Sequence, residues 1–150
     1  MQASELIREV EARCERDQLR LTPIRRRVLE LVIEAGGPVK GYDLLDQLKA
    51  DLPGAAPPTV YRALDFLLEN HFIHRLESLN AYVSCFQPNR RHSGGFLICE
   101  QCGSVTEVPG PVAGCELEEV ARAQGFEPSR QVLEIYGRCR RCAAGAPASD

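Results

Sequence analysis

The sequence predicts an α+β protein with an N-terminal winged helix-turn-helix domain and a small C-terminal α/β domain stapled by a four-cysteine zinc site. Three observations lead to this prediction. Four helical patterns precede two short strands, which is the order of a winged helix. A polar stretch follows them and separates two apolar regions. Two Cys-x-x-Cys pairs bracket the second region, and such paired cysteines are typical of zinc sites.

The composition is that of a globular protein: 150 residues, of which 44% are hydrophobic and 26% charged. No apolar run approaches the length of a membrane span, and the polar, acidic start does not resemble a secretory signal. We therefore expect a cytoplasmic protein without membrane contact. In that reducing compartment the seven cysteines are not expected to form disulfides.

The net charge of −3 does not by itself suggest a nucleic-acid partner, because DNA-binding proteins are usually basic. The charge is unevenly distributed, however. The segment 18–29 contains four arginines and no acidic residue. A local basic patch can contact phosphates even when the whole chain is acidic. These arginines are Arg20, Arg25, Arg26 and Arg27.

The first predicted domain covers residues 1–86. An apolar residue every fourth position, as at Leu6, Val10 and Cys14, predicts the first helix. The second begins at Thr22-Pro23, a capping residue followed by proline, and ends at the glycines 36–37. A third helix is predicted over 42–50.

The fourth predicted helix, which opens at residues 57–59, bears directly on function. Its apolar stripe leaves Tyr61 and Arg62 on the outside near the N-terminal end. A helix that presents such side chains can reach base edges in a major groove. Strands over 72–77 and 81–86, joined by a turn at 78–80, complete the predicted wing.

A predicted linker, residues 87–95, leads into a second domain over 96–142. Here the pattern predicts strands near 96–99 and 104–108, a helix near 112–124 and a last strand near 131–136. The small, polar tail, residues 143–150, is expected to be disordered.

Two cysteine pairs predict a structural zinc site. Four thiolates complete a tetrahedral shell, and the 36 residues between the pairs must fold as a strand-helix-strand unit. The rival interpretation, a thioredoxin-like redox motif, applies to either pair alone. Nearby arginines would offset the formal −2 charge of a tetrathiolate zinc. The ligands are Cys99, Cys102, Cys139 and Cys142.

A second group of residues offers the ligands of another zinc site: His74, Cys85, His92 and Glu107. A wing that turned through 78–81 would place His74 and Cys85 opposite each other, with Cβ atoms about 5 Å apart. Ligands from the wing, linker and second domain would let a metal stabilise one domain arrangement. Spacing alone leaves open whether these residues bind metal, because single His and Cys residues on strands are more often structural.

Several motifs resemble the ferric uptake regulator family, and most closely its zinc uptake regulator branch. They cover nearly the whole chain, and the most specific is Pro-Pro-Thr-Val-Tyr-Arg-Ala-Leu-Asp-Phe-Leu at residues 57–67. Leu-Thr-Pro at 21–23, Tyr-Asp-Leu-Leu at 42–45 and Phe-Ile-His at 72–74 agree with the same family. Tyr-Val-Ser-Cys at 82–85 and Phe-Leu-Ile-Cys-Glu-Gln-Cys-Gly at 96–103 complete the resemblance.

The resemblance implies a homodimeric repressor that binds palindromic double-stranded DNA operators when its sensory metal is present. It implies two zinc ions per chain, a structural one on the paired cysteines and a sensory one on the second group. It also implies base contacts from Tyr42 and Arg62, with Tyr61 near the phosphates and Thr59 in the same motif. Arg25 is a further expected DNA contact.

One departure favours zinc as the sensed metal. Many family members carry a His-His-Asp-His run before the first cysteine pair, whereas this chain has the single histidine His92. Cys85 also favours zinc, because a thiolate is a suitable ligand for zinc but does not suit an iron site made of hard oxygen and nitrogen donors. The alternatives left open are a zinc-ribbon interaction module without metal sensing, a cysteine redox switch and an iron- or redox-sensing member of the same family. An enzyme acting on a small-molecule substrate is not expected, because a four-thiolate zinc has no open position.

Overall fold

A computed structural model describes residues 3–86, 88, 95–108, 114–129 and 131–145, with only the backbone described at 114 and 115. The chain divides into two compact units, residues 1–91 and 92–150. The predicted linker, 87–95, and the predicted disordered tail, 143–150, lie mostly outside the described residues. Within the described parts of the chain, no helix is long and apolar enough to cross a membrane.

Four helices form the body of the first unit. They are α1 (Ala3–Arg16), α2 (Pro23–Glu34), α3 (Gly41–Asp51) and α4 (Pro57–Glu69). The Thr22 hydroxyl accepts a hydrogen bond from the Arg25 backbone N–H at 3.3 Å and so caps α2 as predicted. The apolar stripes of the helices meet in one core, which includes Val10, Val28, Leu44 and Leu64. All four predicted helices are confirmed, with boundaries shifted by one to three residues.

The wing of the first unit is an antiparallel hairpin of β1 (Ile73–Leu76) and β2 (Ala81–Ser84). Leu76 pairs with Ala81, so the four residues between them form the turn. The turn ends at Asn80, whose φ of 46° is a left-handed conformation that asparagine tolerates. Val39, just before α3, exchanges two backbone hydrogen bonds with Tyr82 and ties the hairpin to the helices.

The second unit is built on a three-stranded sheet in the order β4-β3-β5. Its elements are β3 (Gly95–Cys99), β4 (Val105–Val108), α5 (Gly114–Ala123), β5 (Leu133–Gly137) and α6 (Arg140–Ala143). β3 pairs antiparallel with β4 and parallel with β5. The strand-helix-strand unit predicted between the cysteine pairs is therefore confirmed. The short helix α6 was not predicted.

Candidate metal centres and nucleic-acid interface

The parallel pairing of β3 with β5 brings the two cysteine pairs together. Cys99, the last residue of β3, pairs with Gly137, the last residue of β5. The Glu100 N–H donates to the Gly137 carbonyl at 2.9 Å and extends this pairing into the first turn. Cys139 then caps α6, which carries Cys142. The sheet, and not only the metal, therefore sets the distance between the pairs.

The four thiols have the geometry of a tetrahedral zinc shell. Their sulfur atoms all lie within 4.8 Å of one another. The Cys102 and Cys139 sulfurs are 3.8 Å apart. Zn–S bonds of about 2.3 Å at tetrahedral angles place neighbouring sulfurs about 3.8 Å apart. No disulfide joins any of the six cysteines whose side chains the structure describes. The site therefore fits zinc in both spacing and donor chemistry.

Local hydrogen bonds favour the thiolate form in the first pair. The Cys139 N–H lies 3.3 Å from the Cys99 sulfur, and this donor lowers the pKa of Cys99 to about 6. The Ser104 hydroxyl, 3.2 Å from the Cys102 sulfur, lowers the pKa of that thiol as well. Burial instead raises the pKa of Cys142 to about 12. A bound zinc would have to displace the Cys142 proton, so metal binding releases protons.

The second predicted site is partly assembled within the first unit. The ligand atoms of His74 and Cys85 lie within 4.8 Å of each other. The expectation that these residues face each other across the hairpin is wrong, because His74 pairs with Val83. Cys85 follows β2 and donates its N–H to the Phe72 carbonyl at 3.1 Å. The register makes His74 and Cys85 diagonal neighbours on one face, which is still close enough for two side chains to meet.

The other two predicted ligands belong to other parts of the chain. Glu107 is a half-buried residue of β4 in the second unit, paired with Phe96. His92 lies outside the described residues. Within the first unit the structure thus brings together a thiol and an imidazole, both of which are zinc ligands.

The predicted DNA-contacting residues on α3 and α4 are accessible. Tyr42 in the first turn of α3 is 72% exposed, and Tyr61 in α4 is 40% exposed. Arg62 is also exposed, one position further along α4. The buried residues of α4 lie on the opposite stripe and anchor the helix in the core. The first unit therefore presents aromatic and cationic side chains on α3 and α4, as a major-groove reader requires.

Two other predicted contacts have intramolecular roles. The Thr59 hydroxyl accepts a hydrogen bond from the Ala56 N–H at 3.3 Å and so stabilises the start of α4. The Arg25 guanidinium stacks 3.9 Å from the centroid of the Phe66 ring. These contacts fix the position of both residues and leave Arg25 half-buried. A cation–π contact keeps the charge of the guanidinium, which still can attract phosphate.

The arginine cluster at 20–27 is less basic than its sequence indicates. Arg26 pairs with Glu11 at 2.8 Å and also with Glu30. Arg27 pairs with Asp51 at 2.7 Å, and with Glu34. These carboxylates, Glu11 for Arg26 and Asp51 for Arg27 foremost, raise the pKa of both guanidiniums. Acidic residues distant in sequence thus offset two of the four charges that the segment offers.

Sequence reasoning missed one buried residue, Arg13. It is a charged residue between two apolar positions of the first helix, yet only 5% of it is exposed. A helical position three residues from Val10 lies on the same face, and this spacing was the only available signal. Cys14, which follows it, belongs to the core of the unit as predicted.

The chain resembles known proteins in sequence. The profile of the ferric uptake regulator family matches residues 16–136. The zinc uptake regulation protein of Escherichia coli (strain K12) is 42% identical over 141 residues, which are 92% of this chain and 81% of that protein.

Two solved structures resemble the chain over almost its full length. A zinc uptake regulator complexed with zinc and DNA has a TM-score of 0.90 at 39% identity, and the match covers 97% of each chain. The crystal structure of holo XcZur has a TM-score of 0.87 at 50% identity, covering 95% of this chain and 99% of that one. Because the family profile spans most of the chain and these likenesses extend over both units, the chain belongs to the ferric uptake regulator family.

Proposed function

We propose that this chain is a zinc-responsive transcriptional repressor whose zinc-loaded homodimer binds palindromic operators and controls genes of zinc uptake and homeostasis. The observation that carries the proposal is the likeness, at a TM-score of 0.90, to a regulator solved with both zinc and DNA. The relative named as a zinc uptake regulation protein supports the same metal. We also propose a cytoplasmic location, where a DNA operator would be accessible, with no enzymatic activity and no small-molecule substrate.

In this proposal each chain binds two zinc ions with different roles. The structural ion would be held by Cys99, Cys102, Cys139 and Cys142, whose sulfurs already have tetrahedral spacing. A saturated tetrathiolate shell stabilises a fold and has no position left for a ligand to enter. Its role would therefore be to join the chain after β5 to the turn after β3.

The regulatory ion would be held by His74, Cys85, His92 and Glu107. The proximity of the His74 and Cys85 ligand atoms supports this assignment, and so does the donor set of one thiolate, two imidazoles and one carboxylate. One thiolate and one carboxylate make the zinc site formally neutral. A neutral site can exchange its metal with less electrostatic cost than the doubly negative cysteine site, which suits a sensor.

Operator recognition would rest on α3 and α4 of the first unit. Tyr42 and Arg62 are the proposed base contacts, with Tyr61, Thr59 and Arg25 near the phosphate backbone. The exposure of Tyr42, Tyr61 and Arg62 supports this role. Arginine makes the commonest specific contact with DNA bases, a bidentate pair with a guanine edge.

Homodimer formation would use the second unit, where large apolar side chains are exposed. Leu97 and Ile135 are paired neighbours on one face of the sheet, and they are 43% and 52% exposed. Leu117 and Val120 of α5 are exposed by more than half, and Phe126 is 63% exposed. Contiguous exposed apolar surface marks interaction sites. A two-fold symmetric dimer would present two copies of α4 to a palindromic operator.

The proposal is tested by selecting DNA from a random duplex pool with the zinc-loaded full chain. We expect a two-fold symmetric sequence to be enriched, and metal analysis to give two zinc ions per chain, falling to one after mild chelation. Selection of no sequence, or of one without symmetry, would overturn the repressor assignment. A single zinc that chelation does not remove would overturn the sensing role.

A further inference from the structure

The buried guanidinium of Arg13 joins three parts of the first unit. Its Nη1 donates to the Asn70 carbonyl at the end of α4 at 2.7 Å, and also to the Pro88 carbonyl beyond the wing. Its Nε donates to the Asp17 carboxylate at 3.2 Å. The guanidinium carbon lies 4.9 Å from the centroid of the Phe72 ring. Arg13 therefore links α1 to the end of α4 and to the segment that follows β2.

These contacts hold the backbone on either side of the Cys85 thiol. The Phe72 carbonyl accepts the Cys85 N–H at 3.1 Å, and Arg13 packs on the ring of the same phenylalanine. Pro88, whose carbonyl accepts from Arg13, lies three residues after Cys85. The backbone that carries the thiol is therefore fixed at its own amide and again three residues later. Cys85 itself is fully buried.

Packing alone does not account for an arginine in this position. A buried guanidinium is costly unless acceptors and counter-charge surround it, and a leucine or methionine would fill similar volume without that cost. Here two carbonyls, one carboxylate and one aromatic face satisfy the charge. Two of these acceptors are backbone carbonyls, one at the end of α4 and one after β2, and an apolar residue could not bind them. The contacts of Arg13 therefore fix the backbone at Asn70 and at Pro88.

We propose that Arg13 is a positioning residue for the regulatory zinc site, which holds the Cys85 thiol at the place where a metal meets His74. The inference rests on the proposed function, because it assigns Arg13 a role in positioning Cys85, a ligand of the proposed regulatory zinc site. Outer-shell residues that orient metal ligands typically contribute about 10- to 100-fold to metal affinity. Arg13 reaches the ligand through backbone, whereas such partners more often bind the ligand side chain.

The first test measures metal affinity with Co²⁺ as the probe, added to the full chain that retains its four-cysteine zinc. A cobalt–thiolate absorption band reports binding through Cys85. We expect Arg13→Gln to weaken cobalt binding by about 10- to 100-fold, and Arg13→Lys, which keeps charge and donors, to lose less. The matched control is Arg16→Gln, since Arg16 is an exposed residue of the same helix that also pairs with Asp17.

The second test needs no metal at the regulatory site. Hydrogen exchange of the Cys85 amide is compared between wild type and Arg13→Gln, with the Leu64 amide in the core of α4 as the reference. We expect faster exchange at Cys85 and unchanged exchange at Leu64. Equal acceleration at both amides would make Arg13 a support of the whole fold and would overturn the positioning role, as would wild-type exchange at Cys85.

The two tests separate the failure of the inference from that of the proposed function. A wild-type chain that binds no cobalt with a thiolate band would contradict the regulatory site, and exchange at Cys85 would still decide the role of Arg13. If the wild type binds cobalt and Arg13→Gln binds it equally well, the inference is wrong and the proposed function stands.

Discussion

Gly41 and Tyr61 touch at the point where α3 meets α4. A Cβ atom added to Gly41 would lie 2.8 Å from the Tyr61 hydroxyl oxygen, closer than side-chain carbons normally approach. Gly41 is itself buried in the first turn of α3. The absence of a side chain there, rather than backbone freedom, lets the tyrosine ring cross the start of the preceding helix. Gly41 therefore sets the position of a residue that we propose to lie near the DNA backbone.

Gly41→Ala should reduce DNA affinity while leaving the protein folded. Alanine favours a helix over glycine by up to about 1 kcal/mol, and the half-exposed Tyr61 ring can move aside. The displaced hydroxyl would lose its phosphate contact, which corresponds to a loss of about tenfold in affinity. The measurement is operator binding by fluorescence anisotropy beside thermal unfolding.

The matched control is Gly54→Ala, because a Cβ on Gly54 meets nothing within 4 Å. That variant should bind DNA like the wild type. If Gly41→Ala also binds DNA like the wild type, the position of the Tyr61 ring does not affect DNA binding, and the prediction is wrong.

Arg62→Ala should lower operator affinity by about 1–3 kcal/mol and relax the preference for one base pair, as expected for a guanine contact. Binding to the selected operator and to single-base variants of it checks both effects. Arg8→Ala, which removes an exposed arginine from α1 of the same unit, is the control. An equal loss on every sequence would instead identify Arg62 as a phosphate contact.

The two proposed zinc sites should respond differently to loss of one cysteine. Cys85→Ala should abolish zinc-dependent DNA binding and leave a folded dimer with one zinc. Cys99→Ala should remove the structural ion and unfold the second unit, since metal binding and folding are coupled in such sites. Circular dichroism, metal content and DNA binding together distinguish the cases. Identical behaviour of the two variants would contradict the division into structural and regulatory sites.

Ile135→Glu should dissociate the proposed homodimer. A charge at the centre of an apolar interface removes a buried contact and adds a desolvation cost, together at least about 2 kcal/mol. Sedimentation velocity at micromolar concentration would show a shift toward monomer. Leu52→Glu, at an exposed apolar position of the first unit, serves as the control and should stay dimeric. A dimeric Ile135→Glu chain would place the interface elsewhere.

The periodic elements of this fold could be predicted from the sequence, because helix stripes and caps are local features. The wing register could not. The position of the turn fixes that register, and placing the turn one residue further along put His74 opposite Cys85 instead of Val83. The pair still meets because diagonal neighbours share a face. The structure therefore brings these two side chains together in a register other than the predicted one.

The electrostatics of the first unit were the least predictable part. Asp51 lies 24 positions after Arg27 in the sequence, yet the two side chains form an ion pair. Arg13 meets carbonyls 57 and 75 residues away. Such contacts depend on how helices pack, which periodicity does not specify. Charge counted along a segment therefore overstates the basic surface at 20–27 and gives no indication of a buried arginine.

Zinc-responsive repression is tested most directly by comparing the operator affinity of the full chain holding two zinc ions with that of the chain holding one. Both forms keep the four-cysteine ion, so the comparison isolates the regulatory site. A ligand can shift an equilibrium only by its differential affinity for the two states, and a useful switch requires well over tenfold, or more than about 1.4 kcal/mol. Zinc-responsive repression requires a gain of that size on binding the second zinc. Equal affinity of the two forms for the selected operator would contradict zinc-responsive repression.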